Sequence, residues 1–585
     1  MPRTRRFQNR IRALALLLLL ALPLCACGGE APQEKRRYEG SLEEKIRAYY
    51  ADHESTAAGM QMAVFDRQGV LFQGYFGYAD REKQIPMDES TVIDWGSSTK
   101  LLVWVSVMQL WEQGKLDLQA DIREYLPEGF LAGLGDGQAV RMLDLMHHRA
   151  GFQEYYTDLF LQPGEEILSL EQALLQDPPP QIFAPDTITA YSNWGVALAG
   201  YIVERVSGLS FCDYVHQNIF APLGMENSAL APDLSDNPSV RQRRDSLVCY
   251  DGTKPLGSAF YVIQLYPAGS CVSTLDDYLA FAASFVQDRC PLFASQDTFD
   301  EMMTASSCFG ETSVGKNAHG FWALPYGENT WGHGGNTAGC SSYILFVPQR
   351  QLGAVVMTNQ AGEEHFNGDM MELVFGQSAW DYPAPAQQPK GMLHPARTVL
   401  RGHFRVAGES FLSPDSFEEL LWTYNEKDGI AKIEGPYTDY YFVSVGEMLP
   451  SLIAVYGWIA ALLFSLLSLL ILLLRKLLAL VKKKPERRLP GGRWSSVAAL
   501  LQLLIALVLL LLVAMITAWC RAEQYLWLFP TAAALGALLA ALAVYGAVWT
   551  RKNWRALSRG GRIYRVAALA FAALTVYAMV YEQIW

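Results

Sequence analysis

Charge is scarce in this chain. Only 18% of its 585 residues are Asp, Glu, Lys or Arg and 51% are apolar, against about 25% charged in an average soluble chain. Disorder as the dominant state is thereby excluded, and part of the chain is expected not to face water. Basic residues are scarcer still in the middle: residues 28–450 hold 27 Lys+Arg against 56 Asp+Glu, a net of −29. Phosphate binding needs clustered basic residues, so nucleic acid is not the expected partner. Cysteines number nine. Cys25 and Cys27 lie near the N-terminus and Cys520 in the apolar C-terminal region; Cys212, Cys249, Cys271, Cys290, Cys308 and Cys340 show no spacing that resembles a zinc site. A body of roughly 400 residues buries core enough without staples, so these six are read as free. A Gly-x-Ser-x-Gly elbow is absent, which argues against an α/β-hydrolase, and His147-His148 are adjacent with no His-Glu-x-x-His, which argues against metal hydrolysis. Neither metal nor cofactor is expected. There is no internal repeat.

The basic residues missing from the middle are at the ends. Residues 1–27 and those after Pro450 carry 20 of the 47 Lys+Arg but 3 of the 59 Asp+Glu. Arg3, Arg5, Arg6, Arg10 and Arg12 precede an apolar run at 13–24 and the small residues Cys25-Ala26-Cys27-Gly28-Gly29, the order of an export signal and too short a core to span a bilayer well. Leu24-Cys25-Ala26-Cys27 resembles a lipobox, which makes Cys27 a lipidation candidate. Four stretches, about 452–474, 497–519, 526–548 and 566–584, each come near the ~20 residues that cross a bilayer, and Glu582 is the only charged residue in them. The loop after the first holds eight Lys/Arg against Glu486 and the loop after the third holds six. The positive-inside bias assigns both loops to the cytoplasm and the acidic body to the other side, where the export signal independently sends it. Without ionisable residues deep in the spans, the bundle reads as an anchor or a docking surface for a membrane partner rather than a transporter.

Periodicity in the body predicts a helix over 41–53 opened by a Ser41-x-x-Glu44 capping box, a hairpin over 60–77 and a second over 341–357, and helices at 101–113, 194–206, 211–219, 275–287 and 363–374. Hairpins at both ends with helices between predict one α/β domain over 41–376 whose sheet is closed by its two termini. A proline-containing linker and a small extension follow over 377–450, then the membrane domain at 451–585.

Chemistry concentrates in three short motifs. Ser97-Ser98-Thr99-Lys100 lies where a loop enters the helix predicted from 101. Three positions are nearly one helical turn, so Ser97 and Lys100 share a face and can exchange a proton, beside free N–H groups that favour developing negative charge. Ser313-Val314-Gly315-Lys316 repeats the spacing between Gly310 and Gly320 without a helix, and is read as chance. Tyr191-Ser192-Asn193 offers a phenol to shuttle a proton and an amide to orient a carbonyl or the Lys100 amine; taken alone it is an ordinary turn. His333-Gly334-Gly335-Asn336 precedes the 341 strand, where glycines let a substrate backbone approach.

In this order the three motifs resemble those of the serine β-lactamase and penicillin-binding-protein superfamily, within it the class C-like serine hydrolases. Further stretches are similar: Gly114-Lys115-Leu116-Asp117-Leu118 with Tyr125-Leu126-Pro127, Leu145 to Phe152, Pro222-Leu223-Gly224-Met225, Pro267-Ala268-Gly269, and Val356-Met357-Thr358-Asn359. The resemblance implies an antiparallel sheet flanked by helices with a helical subdomain. It implies Ser97 as the acylated nucleophile, Lys100 as its base, Tyr191 as second general acid/base, and Asn193, His333, Gly334 and Gly335 as substrate-binding. The backbone N–H groups of Ser97 and Asn336 become the oxyanion hole. Lys100 must then be partly neutral, although a free lysine titrates near 10.4.

One departure bears on substrate. Class C β-lactamases usually carry Lys-Thr-Gly where this chain has His333-Gly334-Gly335, so a permanent cation for a substrate carboxylate is replaced by imidazole. Members with His-x-Gly or His-Gly-Gly there include esterases and D-amino-acid peptidases, and strong β-lactamase activity is not expected. The predicted function is a membrane-tethered hydrolase of amide or ester substrates, peptide or small molecule and cell-wall derived in one version. The alternative is a penicillin-sensor-like protein that is acylated, or binds ligand, without rapid turnover.

Overall fold

The computed structural model describes residues 37–132, 138–154, 159–161, 165–176, 178–252, 254–310, 312–327, 330–363, 365–377, 392–395, 421–425, 430–443, 445–481, 492–517 and 527–581. The export signal with Cys27, most of the basic loop after the first span, and Glu582 lie outside them. The chain divides into two units, Met1–Ala51 and Asp52–Trp585. Helix α1 (Leu42–His53) begins in the first, where Ser41 N–H donates to the Glu44 carboxylate at 2.7 Å and Glu44 N–H donates to Ser41 Oγ at 3.3 Å, the reciprocal bonds of a capping box.

In the second unit, β1 (Gly59–Asp66) and β2 (Gly69–Asp80) form a hairpin whose turn is tied by Asp66, which accepts the N–H groups of Gln68 and Gly69 at 2.7 and 3.1 Å. β3 (Ile85–Pro86) follows, and the rest of the sheet comes from the far end of the domain: β4 (Ser307–Cys308), β5 (Gly315–Ala318), β6 (Phe321–Leu324), β7 (Thr330–Asn336), β8 (Ser341–Val347) and β9 (Leu352–Thr358). The nine strands run in the order β4-β5-β6-β7-β8-β9-β1-β2-β3, antiparallel throughout. β1 pairs with β9, Met60 opposite Thr358. The two chain ends of the domain thus close the sheet, as the two hairpins predict. The fold is an antiparallel sheet with helices packed on it.

Helix α2 (Lys100–Glu112) is buried on every side from Lys100 to Leu110, which fits its nearly unbroken apolar sequence. It packs against α3 (Asn193–Ser207). Ser192 caps α3 by accepting Gly195 N–H at 3.1 Å, and Gly208 ends it in the left-handed conformation.

Some elements differ from their sequence patterns. The helix predicted over 211–219 is α-helical only for Phe211–Val215 and widens into a π turn at His216–Phe220. That predicted over 363–374 starts at Met370 after a π turn at His365–Asp369, because Glu363 takes the N–H groups of Phe366 and Asn367. Strands β4, β5 and β6, of two, four and four residues, are too short to show an alternation, and β7 is interrupted by Gly332, Gly334 and Gly335.

The extension forms its own antiparallel sheet of β10 (Met392–Pro395), β11 (Leu421–Asn425), β12 (Ile430–Glu434) and β13 (Asp439–Val443), ordered β10-β13-β12-β11. Four helices then follow: α4 (Val445–Val481), α5 (Gly492–Thr517), α6 (Leu528–Lys552) and α7 (Arg559–Tyr581). All four are long and apolar enough to cross a membrane. α4, α6 and α7 run several residues beyond the apolar cores. Polar side chains tie the helices: Gln502 on α5 donates to Thr575 on α7 at 3.2 Å and accepts from Ser465 on α4, while Arg565 on α7 donates to Ser495 on α5 at 2.9 Å.

Candidate active site

Ser97 lies in a 3-10 turn, Gly96–Thr99, that runs directly into α2. The turn brings Lys100 Nζ to 3.0 Å from Ser97 Oγ. Lys100 is fully buried, and it also donates to Asn193 Oδ1 at 2.6 Å and to the carbonyl of Ala268 at 2.5 Å. From the other side the Tyr191 hydroxyl donates to Ser97 Oγ at 2.7 Å. Burial pushes the Tyr191 phenol far above its ordinary value and outweighs the opposing effect of its bond to Ser97, so it stays a proton-bearing hydroxyl. The Ser97 oxygen is held between an amine placed to take its proton and a phenol placed to pass one on.

Tyr191 and Asn193 flank the Ser192 cap of α3, which is how a three-residue motif delivers two groups to one serine. Asn193 is oriented by Glu154, a buried carboxylate that accepts the Asn193 backbone N–H at 2.6 Å and its Nδ2 at 2.7 Å. With Nδ2 turned toward Glu154, Oδ1 is left to face Lys100.

The end of β7 lies against the Ser97 turn. Gly96 has φ +52°, and a Cβ on it would fall 2.7 Å from the backbone N of Asn336; a Cβ on Gly335 would fall 1.9 Å from the carbonyl of Trp95. Glycine at both positions lets the two backbones meet. Between them opens a cavity of about 530 Å³, lined by Ser97, Tyr191, Asn193, Gly334, Gly335 and Asn336 among others.

The Beta-lactamase family matches residues 42–375, more than half of the chain. The chain belongs to the Beta-lactamase family. It is 26% identical over 308 residues to a D-aminopeptidase from Gluconobacter oxydans (strain 621H), a match that covers 52% of this chain and only 55% of that relative's length. It is 23% identical over 380 residues to penicillin-binding protein 4* of Bacillus subtilis (strain 168), covering 61% of this chain and 80% of that one. Among solved structures, the D-amino acid amidase from Ochrobactrum anthropi SV3 complexed with D-phenylalanine overlays with a TM-score of 0.49 at 21% identity, over 58% of this chain and 98% of that one. The protein is a serine hydrolase of the β-lactamase-related type.

One residue departs from what the family resemblance implied. His333 is fully buried and, unlike Gly334 and Gly335, is not among the residues that line the cavity. Trp322, which lies opposite Gly332 across β6 and β7, covers the imidazole with ring centroids 3.7 Å apart, and His333 Nδ1 lies 2.6 Å from the carbonyl of Gly334. Burial, reinforced by nearby Lys100, pushes the imidazole down to about 3. A neutral, covered ring supplies no cation to a substrate carboxylate.

Ser313 is exposed and Lys316 is buried in an ion pair with Asp439, 2.6 Å away, and Glu434, 3.4 Å away; the second Ser-x-x-Lys is structural. The six cysteines of the body are free. The sequence reading missed Glu154, in a loop-rich stretch with no motif, together with Trp322, Glu363 and Tyr437. These last three line the cavity. Burial raises the Glu363 carboxyl despite the opposing N–H groups of Phe366 and Asn367.

Proposed function

We propose that the protein is a membrane-anchored hydrolase that works through an acyl-enzyme on Ser97, outside the cytoplasm, on amide or ester substrates of the D-amino-acid type. The observation that carries this reading is the pair of contacts at Ser97 Oγ, 3.0 Å to Lys100 Nζ and 2.7 Å to the Tyr191 hydroxyl. Lys100, in its neutral form, takes the Ser97 proton as Oγ attacks the substrate carbonyl. The developing oxyanion is stabilised by the backbone N–H groups of Ser97 and Asn336. Tyr191 passes a proton to the departing amine or alcohol and recovers one from Lys100. A water molecule then attacks the ester, its proton returns to Ser97 Oγ, and the acid is released. Names of relatives such as D-aminopeptidase support the D-amino-acid class. The export signal, the charge asymmetry and four apolar helices support the anchored, extracytoplasmic setting, with Cys27 as the candidate for a second, lipid anchor.

A serine-reactive phosphonate should label the protein at Ser97 and leave Ser97→Ala unlabelled; labelling that persists in the variant would overturn the assignment. Protease protection that finds residues 37–443 shielded with the cytoplasm would overturn the sidedness.

A second reading, a sensor that is acylated or binds ligand and signals through the bundle, has one observation in its favour: β13 ends at Val443, and the first long apolar helix begins at Val445. Intact mass spectrometry separates the two. Multiple turnovers favour the enzyme, and an acyl-enzyme that persists for hours favours the sensor.

A further inference from the structure

The extension does not hang free of the hydrolase domain. The turn between β12 and β13 reaches the cavity, where Tyr437 forms part of the lining and is 39% exposed. It is held there by backbone and charge. Asp439 N–H donates to the carbonyl of Thr189 at 2.8 Å, Thr189 N–H returns a bond to the Asp439 carboxylate at 3.0 Å, and Ala190 forms a bridge with Thr438. Lys316 pairs with Asp439 and Glu434 from below, and Gly310 N–H donates to Glu434 at 3.1 Å. Thr189 and Ala190 are the two residues before Tyr191, so the extension is fastened to the strand of chain that carries the phenol.

The Tyr437 ring packs at a tilt against Trp322, with centroids 5.2 Å apart and planes inclined by 34°. Trp322 in turn lies edge-on to Tyr191 at 5.8 Å. In an acyl transfer the bond from the carbonyl carbon to the departing nitrogen or oxygen breaks as the bond to Ser97 Oγ forms, and the Ser97 proton must end on the departing atom. Lys100 is fully buried, whereas Tyr191 lines the cavity, so Tyr191 is the group placed to deliver that proton. The leaving group therefore departs on the Tyr191 side, which is the side of Trp322 and Tyr437. Among the described residues no lysine or arginine lines the cavity, and Glu363 is its one charged group.

We propose that Trp322 and Tyr437 form the leaving-group subsite, with one wall supplied by the extension, and that it takes an uncharged aromatic or bulky apolar amine or alcohol in preference to a leaving group that ends in a carboxylate. This rests on the acyl-enzyme reading of Ser97. The expected size of the effect is that of one aromatic stack, about three- to tenfold in rate.

The test uses the full chain in detergent and three D-alanyl amides with a common acyl group, whose leaving groups are benzylamine, methylamine and D-alanine. Wild type should show kcat/KM highest for the benzylamide and lowest for the substrate that releases D-alanine. Tyr437→Ala should lower kcat/KM for the benzylamide about three- to tenfold more than for the methylamide, and Tyr437→Phe should keep the wild-type ratio. Deacylation, which follows loss of the leaving group, should keep its rate in both variants. Preference for D-alanine in the wild type, or an equal fall for both amides in Tyr437→Ala, overturns the subsite. Phosphonate labelling of the same preparations keeps the two readings apart: labelled Ser97 without leaving-group discrimination sinks the subsite alone, while an unlabelled Ser97 sinks the acyl-enzyme.

Discussion

The Glu154 carboxylate accepts two N–H groups of Asn193, one from the backbone and one from the amide, at 2.6 and 2.7 Å, and so fixes the amide oxygen 2.6 Å from Lys100 Nζ. No motif contains Glu154, yet the orientation of a motif residue depends on it.

Removing that carboxylate leaves two buried donors unpaired, at about 1–3 kcal/mol each. Glu154→Ala is expected to lower the unfolding temperature and to cut kcat/KM by about 10- to 100-fold as the Asn193 amide loses its orientation. Glu154→Gln, which keeps one acceptor, should recover most of the stability and part of the rate. Equal activity in the alanine variant and wild type would remove Glu154 from the site's architecture.

Gly96 tests the oxyanion side. With φ +52° and a Cβ predicted to meet Asn336 N at 2.7 Å, Gly96→Ala must push β7 away from the Ser97 turn. A loss of one oxyanion donor corresponds to about 10²–10³-fold in kcat, and slow phosphonate labelling should accompany it. Unchanged labelling kinetics would show that the two backbones need not touch.

Lys316 tests the anchoring of the extension. Its side chain and both partner carboxylates are at most 5% exposed, so Lys316→Met leaves Glu434 and Asp439 buried without their cation, a change that costs about 3–5 kcal/mol. Thermal unfolding should fall, and limited proteolysis should cut within 421–443 sooner than in wild type. An unaltered cleavage pattern would detach the extension from the domain.

Stability should decline on the acid side. His147, His319 and His333 are all lowered, by burial first, and His333 to about 3. In the unfolded chain a histidine titrates near 6.5. Below that value the unfolded state binds protons that the folded state refuses, so their contribution is intact above pH ~6.5 and is lost as pH falls toward the folded values. The slope is about 1.4 kcal/mol per pH unit for each group. Unfolding temperatures measured from pH 7.5 to 5 should fall, and His333→Asn should fall less steeply; a flat profile contradicts buried neutral histidines. Over the same range the rate should show no limb assignable to His333.

The three motifs and the hairpins at either end of the domain were legible because local rules govern them. Ser97 and Lys100 are three residues apart on one turn, and Tyr191 and Asn193 straddle a single cap. The alternation at 60–77 and 341–357 is a strand signal, and the long apolar runs need no tertiary partner to be read as helices. Strands β4 to β6 were not legible because two to four residues are too few to show a period, and β7 was not because its glycines, which allow close backbone approach, carry no alternation.

The sequence by itself determined the family, the nucleophile's neighbourhood, the four long apolar helices and the charge division between body and ends, because each is written in residues close together along the chain. Tertiary structure alone decided that Glu154 orients Asn193, that Trp322 covers a His333 kept neutral by burial, and that Tyr437 of the extension enters the cavity. Those relationships join residues far apart in sequence, and they depend on burial and cross-strand packing, which no local spacing records.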